Sequence, residues 1–396
     1  MYKEPYHFNV ERYIDPHRFA QIKDFAKDMP TPLLVMDTPL ISQKYDELVN
    51  SIPIADIYYA VKANPMPEIL KILIAKGSHF DIASRYELDL ILSLGADPDK
   101  ISFGNTIKKQ SDIAYFYEKG VRLFVTDSST DLEKISKSAP EAKIFFRLLT
   151  EGTGADWPLS RKFGAHADII YYLILEARDL GLNPYGLSFH VGSQQRDIGQ
   201  WDDAIARCKY LFDAVAEDGI ELKMINLGGG FPASYVDPTF SVEEYATEIM
   251  RFIEEDFGDK IPRIILEPGR SLVADAGIII AEVVNISRKS KSNMYQWVFL
   301  DIGKFGGLIE TIDESIKFPI FFERDGLADE IILAGPTYDS MDILYENYKY
   351  NMPEPTQIGD RVFIFSTGAY TRSYSSICFN GFPPLEAVVF DKEPIA

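Results

Sequence analysis

The sequence predicts an α/β fold class, a closed (β/α)8 TIM-like barrel followed by a mainly antiparallel β domain, and three observations carry that prediction. The first is a recurrence. Eight short apolar runs of strand type, each closed by a turn or a polar group, alternate with segments of helical periodicity. The second is where the chemistry-bearing side chains fall: Lys62, Asp81, Asn105, Asp127, Arg147, His190, Gly228 to Gly230 and Glu267 all sit at or near the ends of those runs. In a parallel barrel that end is the active-site face, so eight separate strands deliver polar groups to one place. The third is a change of texture after Arg270, where apolar, β-branched and aromatic runs follow one another without intervening helices.

In chain order, the runs are IYYAVKAN from Ile57, HFDIAS from His79, ISFGN from Ile101, LFVTD from Leu123, KIFFRLL from Lys143, GLSFHVG from Gly186, MINLGGG from Met224 and RIILEPG from Arg263. PLISQKYDELVN precedes the first, and amphipathic stretches such as PEILKILIAKG, RYELDLILSLG and HADIIYYLILEARDLG lie between them. Eight alternations suit a closed barrel, because crossover helices cover the sheet and eight units close it. On pattern alone an open doubly wound sheet satisfies the same alternation. Residues 31–269 are assigned to the barrel and 270–396 to the β domain, whose runs include QWVFLDIG, FPIFF, EIILAG, DRVFIFS and EAVVF. Residues 1–30 fit neither pattern and are expected to add a strand or an arm to one of the two.

Composition narrows the function. Sixty acidic against 40 basic residues give a formal net charge of -20, which repels nucleic acid and anionic membrane surfaces alike. The longest apolar stretch, near Ala276 to Val284, is interrupted by Glu282 and is far shorter than the roughly 20 residues that span a bilayer. Two cysteines, Cys208 and Cys378, and five histidines suggest neither a disulfide framework nor a metal site. The opening residues lack a basic segment followed by an apolar one, and a cytoplasmic enzyme is expected.

Several residues invite a chemical reading. A strand lysine usually snorkels to solvent, but Lys62 in YYAVKANP also fits a desolvated amine able to form a Schiff base with an aldehyde cofactor. Three consecutive glycines, Gly228 to Gly230, let backbone N–H groups approach an anion, although tight turns use the same residues. Ser241 and Glu244 have capping-box spacing for the next helix. EPGR sets Glu267 and Arg270 around a turn, either as a surface pair of little energetic weight or as a phosphate clamp beside the glycines. In barrels the loops after the seventh and eighth strands commonly hold a phosphate, and these are the loops in question. His190 ends the sixth run, in register with Lys62 and Glu267.

Taken together, YAVKAN, FDIAS, FFRLL with ADWPLSRKFG, SFHVGSQ, LGGGFP, EPGR, DIGKFGGLIET, GPTYDSMD and TGAYT with FNGF span nearly the whole chain. This set resembles the fold-type III pyridoxal-phosphate decarboxylases, most of all bacterial ornithine and lysine/ornithine decarboxylases. The resemblance implies an alanine-racemase-like architecture, pyridoxal 5'-phosphate as cofactor, an amino acid substrate and a homodimer with shared active sites. It implies that Lys62 holds the cofactor as an imine, that Asp81 pairs with Arg147, and that His190 stacks on the cofactor ring. Ser193, Gly228, Gly229, Gly230, Arg270 and Tyr370 would hold the phosphate, and Glu267 the ring nitrogen. From the partner subunit, Asp339 and Asp313 would face the distal amine of the substrate and Phe379 would line the pocket, while Lys162 and Asp342 would pair between subunits. A carboxylate at the ring nitrogen favours decarboxylation, because it keeps the ring a strong electron sink.

In one place this chain departs from the family. Where its decarboxylases carry a Cys that protonates the carbon after CO2 leaves, GPTYDS places Tyr338. The leading expectation is a decarboxylase of ornithine, lysine or a relative, giving a diamine and CO2, with Lys62, His190, Glu267 and Tyr338 as its catalytic residues. The alternatives are a racemase of the same fold, a decarboxylase that goes on to transaminate or deaminate, and a silent homologue that binds a partner.

Overall fold

Eight parallel strands close into a barrel in a computed structural model of the protein, which describes residues 3–158, 161–292 and 294–394. They are β2 (Ala55–Ala60), β3 (His79–Ile82), β4 (Ile101–Phe103), β5 (Leu123–Thr126), β6 (Lys143–Arg147), β8 (Asn183–Ser188), β10 (Met224–Asn226) and β11 (Arg263–Leu266). Each of the eight expected runs supplies one of them. Closure comes from β11 pairing with β2, Ile264 opposite Ala55 and Leu266 opposite Ile57. Inside, Tyr58, Leu123, Val125, Phe145, Met224 and Ile265 form one buried cluster contributed by different strands. Burying a side chain of this size stabilises the fold by about 1.5–3 kcal/mol, so the interior is a packed core and not a channel.

Crossover helices are cut to length by local chemistry. Ser84 caps the helix Arg85–Ser93 by accepting from Glu87 N–H. The expected capping box forms at Val242–Phe257: Glu244 N–H donates to Ser241 Oγ, and Ser241 N–H donates to Glu244 Oε2. That helix buries Tyr245, Ile249, Phe252, Ile253 and Phe257 along one stripe. A short antiparallel pair, β7 (Ala155–Trp157) with β9 (Ser193–Gln195), accompanies the barrel.

The second unit is built on β1 (Leu33–Asp37), β12 (Gly277–Ser287), β13 (Gln296–Leu300), β14 (Ile320–Phe322), β15 (Ala328–Ala334), β16 (Ile343–Pro353), β17 (Arg361–Phe365) and β18 (Glu386–Phe390). The main path runs β14-β17-β12-β13-β15-β16, with β1 joined to β12 and β18. Pairing is mostly antiparallel, with β13–β15 and β1–β18 parallel. The chain divides as Met1–Ile41, Ala233–Pro238 and Leu272–Ala396 in this unit, and Ser42–Pro232 and Thr239–Ser271 in the barrel unit.

The opening residues do two things. Residues near Pro5 bridge to Leu327 as an arm, and Pro16–Ala26 forms a helix capped by Asp15. Phe19, Ile22 and Ala26 of that helix pack on Leu33, Val35, Ile278, Phe363 and Phe365. Arg18 holds Asp37 through two bonds of 2.8 and 2.6 Å, both side chains buried. Among the described residues, no helix is long and apolar enough to cross a membrane.

Candidate active site

The barrel mouth gathers one amine, two carboxylates, a guanidinium and an imidazole. Lys62 rises from the turn Val61–Ala63 directly after β2, and its Nζ donates to Asp81 Oδ2 at 3.1 Å. The lysine is not the desolvated amine that the sequence invited. Its side chain is 45% exposed, whereas that of Asp81 is 3% exposed, because the turn lifts Lys62 into the mouth while Asp81 stays on β3. Asp81 fits only because residue 104 is glycine: a Cβ there would stand 1.7 Å from Asp81 Oδ1.

The expected Asp81–Arg147 pair is replaced by Asp81–Lys62. Arg147 instead lies over the Phe163 ring, 5.0 Å from its centre, and acts on Glu267, Asp127 and Asp81 by charge at longer range. Lys62 is the closer cation, so it takes the carboxylate.

Glu267 follows β11. Burial and the charge of Asp81 raise its pKa to about 7, against the opposing pull of Lys62, an Asn226 hydrogen bond and Arg147. At neutral pH this carboxyl therefore sits near its midpoint. His190 is pushed the other way, down to about 3, by burial and then by the positive charges of Arg147 and Lys62. The ring is neutral. Its Nδ1 accepts the Gly192 N–H at 3.0 Å, which places the ring proton on Nε2.

Beside these groups, Arg270 Nε donates to Ser193 Oγ at 3.0 Å, and both residues are buried. The three glycines lie against the same loops. A Cβ on Gly228 would come 2.3 Å from Phe189 O, one on Gly229 2.6 Å from Glu267 O, and one on Gly230 2.6 Å from Gly192 O. Gly228 and Gly230 also have φ of +67° and +99°, so backbone approach and backbone conformation both require glycine here.

The β unit carries the remaining residues singled out from the sequence. Tyr338, Asp339 and Phe379 lie on neighbouring loops: Tyr338 N–H donates to Asn380 Oδ1 at 2.8 Å, and Phe379 packs on Phe305 with ring centres 4.7 Å apart. The Tyr338 side chain is fully exposed. Asp313 is exposed with φ +53°; its neighbour Glu314 instead takes the N–H groups of Glu346, Asn347 and Tyr348. Burial opposes ionisation of Glu314, but these three donors outweigh it and hold its pKa low. Asp342, expected to reach Lys162 of a second copy, is 2% exposed and accepts from Lys304 N–H, Thr337 N–H and Thr337 Oγ1 of its own chain. Tyr370 follows β17, half-buried, with φ +56°.

Asn226 is the residue that sequence reasoning missed. It ends β10, its NH2 donates to Glu267 Oε1 at 2.5 Å, and its Oδ1 accepts the Gly228 N–H at 2.9 Å. The available signal was an amide at a strand end, immediately before the glycines.

An amine, a neutral imidazole, a carboxyl poised near 7 and a glycine-lined cradle with a buried Arg and Ser form a donor set that fits a phosphorylated aldehyde cofactor at the mouth of a barrel. Comparison with known proteins supplies the family. Residues 39–274 match the pyridoxal-dependent decarboxylase, pyridoxal binding domain model. A lysine/ornithine decarboxylase of Selenomonas ruminantium is 30% identical over 94% of this chain and 93% of its own length. The lysine/ornithine decarboxylase of Vibrio vulnificus, solved with putrescine, superposes with a TM-score of 0.85 at 27% identity, covering 95% of this chain and 99% of that one. A structure of SrLDC with pyridoxal phosphate and cadaverine gives 0.85 at 29% identity, over 98% and 95%. The chain belongs to the pyridoxal-dependent decarboxylases.

Proposed function

We propose that the protein decarboxylates a basic L-amino acid, ornithine, lysine or a close relative, to a diamine and CO2. The observation that carries this reading is the barrel mouth itself, where Lys62, Asp81, Glu267, Arg147 and His190 act on one another. When bound, pyridoxal phosphate supplies the electron sink that accepts the electron pair left by CO2. Each residue then has a task. Lys62 holds the cofactor aldehyde, with Asp81 keeping its amine oriented. Arg270, Ser193 and the backbone of Gly229 and Gly230 would take the phosphate. Gly228 shapes that turn, its own N–H being committed to Asn226. Neutral His190 would offer a ring face to the cofactor without adding positive charge beside it, and Glu267 would hold the ring-nitrogen proton.

Substrate selection is assigned to the partner subunit of a homodimer. Asp339 and Asp313 are exposed acids suited to a distal ammonium, and an uncompensated charge in such a pocket penalises neutral amino acids. Tyr338, Ile377, Met341 and Phe382 are exposed in the same unit, at 101, 82, 67 and 40%. Apolar side chains gathered in this way on neighbouring loops favour coverage by a second copy. Tyr338 would then stand where the product carbon is protonated. Cytoplasmic residence accords with two cysteines that are both free thiols.

The test is a panel of L- and D-amino acids incubated with the pyridoxal-phosphate-loaded enzyme, followed by mass spectrometry. Putrescine or cadaverine with stoichiometric CO2 is the expected result. Inversion of configuration, or carbonyl products without amine, would replace the reading.

A further inference from the structure

Glu267 is gripped by a single turn. Its backbone N–H donates to Gly228 O at 2.8 Å, and its Oε1 accepts from the Asn226 side chain at 2.5 Å. Asn226 spends its own Oδ1 on the Gly228 N–H at 2.9 Å. That last bond fixes the orientation of the amide. With Oδ1 committed to a backbone donor, only the NH2 is left to face Glu267, and an NH2 donates without accepting. Glu267 Oε1 must therefore present a lone pair, so a proton on this carboxyl is confined to Oε2.

We propose that Asn226 is a positioning residue for decarboxylation, a one-way donor that reserves Glu267 Oε2 for the cofactor's ring nitrogen and couples it to the glycine turn at the phosphate. The inference deepens the functional reading above and rests on it. One side chain sets two distances at once. The turn that begins the phosphate cradle and the carboxylate that holds the ring nitrogen are registered through Asn226, with β10 and β11 locked alongside by the Leu227 N–H to Ile265 O bond at 2.9 Å.

The same donor opposes the crowding that raises the Glu267 pKa. The charged groups acting on Glu267 are Lys62 after β2, Asp81 on β3 and Arg147 on β6, while neutral His190, after β8, adjoins Gly229 beside the Glu267 backbone. Burial and Asp81 favour the neutral acid, while Lys62, Asn226 and Arg147 favour the anion. Of the three that favour the anion, only Asn226 carries no charge, so replacing it with a carboxylate changes the local charge in one step.

The two roles separate by substitution. Asn226→Asp is isosteric and keeps an oxygen for the Gly228 N–H, but it removes the donor to Glu267 and adds a negative charge. Asn226→Ala removes both bonds. We expect Asn226→Asp to raise the upper titration step of the resulting carboxyl pair by about one pH unit or more above that of Glu267 in the wild type. It is read in the apo-protein by infrared difference spectroscopy against Glu267→Gln. The acidic limb of kcat/KM should move up with it, since Glu267 must be an anion to hold the ring-nitrogen proton. The dissociation constant for pyridoxal phosphate should change less than about threefold in Asn226→Asp and rise about tenfold or more in Asn226→Ala. An unmoved carboxyl titration in Asn226→Asp overturns the proposal, as does loss of cofactor affinity equal to that of Asn226→Ala. Should Asn226→Ala not fold, the carboxyl titration of Asn226→Asp decides alone. Failure of the wild type to bind pyridoxal phosphate would defeat the functional reading instead, while the apo titration would still judge Asn226.

Discussion

The barrel mouth and the loops of the β unit both concentrate carboxylates, but they satisfy them differently. In the mouth, Asp81 leans on Lys62 and Glu267 takes one side-chain amide, so the charge balance of the pair depends on Lys62 and Arg147. In the β unit, Asp342 collects two backbone N–H groups and a hydroxyl, and Glu314 collects three backbone N–H groups. Backbone donors cannot titrate or move away, so carboxylates held by them are structural anchors. A carboxylate balanced by neighbouring charges keeps a pKa that can respond to a cofactor. Asp339 and Asp313 show the third state, exposed to solvent, with Asp339 Oδ1 accepting the Met341 N–H alone.

The largest effect should come from the mouth. Lys62→Ala is expected to lose roughly 10²–10⁴-fold or more in kcat, and borohydride applied to the loaded wild type should fix the cofactor to the peptide containing Lys62. Recovery of the label on another lysine would break the assignment. Next, Asp339→Asn and Asp342→Asn sharpen the contrast between exposed and anchored acids. Asp339→Asn keeps the Oδ1 that accepts Met341 N–H, so its melting temperature should hold while kcat/KM on ornithine or lysine falls roughly ten- to a hundredfold. Asp342→Asn places an NH2 against buried donors and should cost about 1–3 kcal/mol of stability, seen as a lower denaturation midpoint. If both variants changed only activity, the distinction between the two kinds of carboxylate would be lost.

The pH dependence follows from Glu267. Its folded pKa of about 7 lies above the ordinary 4.5, so the folded apo-protein binds the extra proton between those values and loses stability as pH rises through them. Glu267→Gln removes this term, and relative to the wild type the apo variant should gain about 1–3 kcal/mol from pH 5 to pH 8. Urea midpoints measured across that range decide it; a constant difference between the proteins would mean that the carboxyl does not titrate there. The smallest structural effect belongs to Tyr338→Cys. The phenol is fully exposed in its own chain, so stability should stay within about 0.5 kcal/mol while any carbonyl by-product gives way to clean diamine. Unchanged rate and product ratio would make Tyr338 a neutral replacement.

Much of this was legible in the sequence for physical reasons. Strand-end placement of Lys62, Asp81, His190 and Glu267 follows from period and punctuation, and three successive glycines announce a turn that no side chain can enter. What stayed hidden was partner choice. Nothing in FDIAS or FFRLL says that Asp81 takes Lys62 and leaves Arg147 over Phe163, because that depends on how far a turn lifts one amine. Asn226 was hidden for a related reason: an amide before glycines reads as turn chemistry until its two bonds are seen. The resemblance gave both Asp339 and Asp342 of GPTYDSMD a role toward a second subunit, and nothing in the motif told that Asp342 is buried while Asp339 is exposed.

The proposed shared site brings together the amine of Lys62 in one subunit and the acid of Asp339 in the other. Mixing Lys62→Ala with Asp339→Ala tests it most directly, since each variant alone is impaired and hybrid dimers would rebuild one intact site. Verified subunit exchange should restore about a quarter of wild-type activity, half of the dimers being hybrids with one good site of two. Activity that stays at the level of the separate variants after exchange would show that each site is built within a single chain.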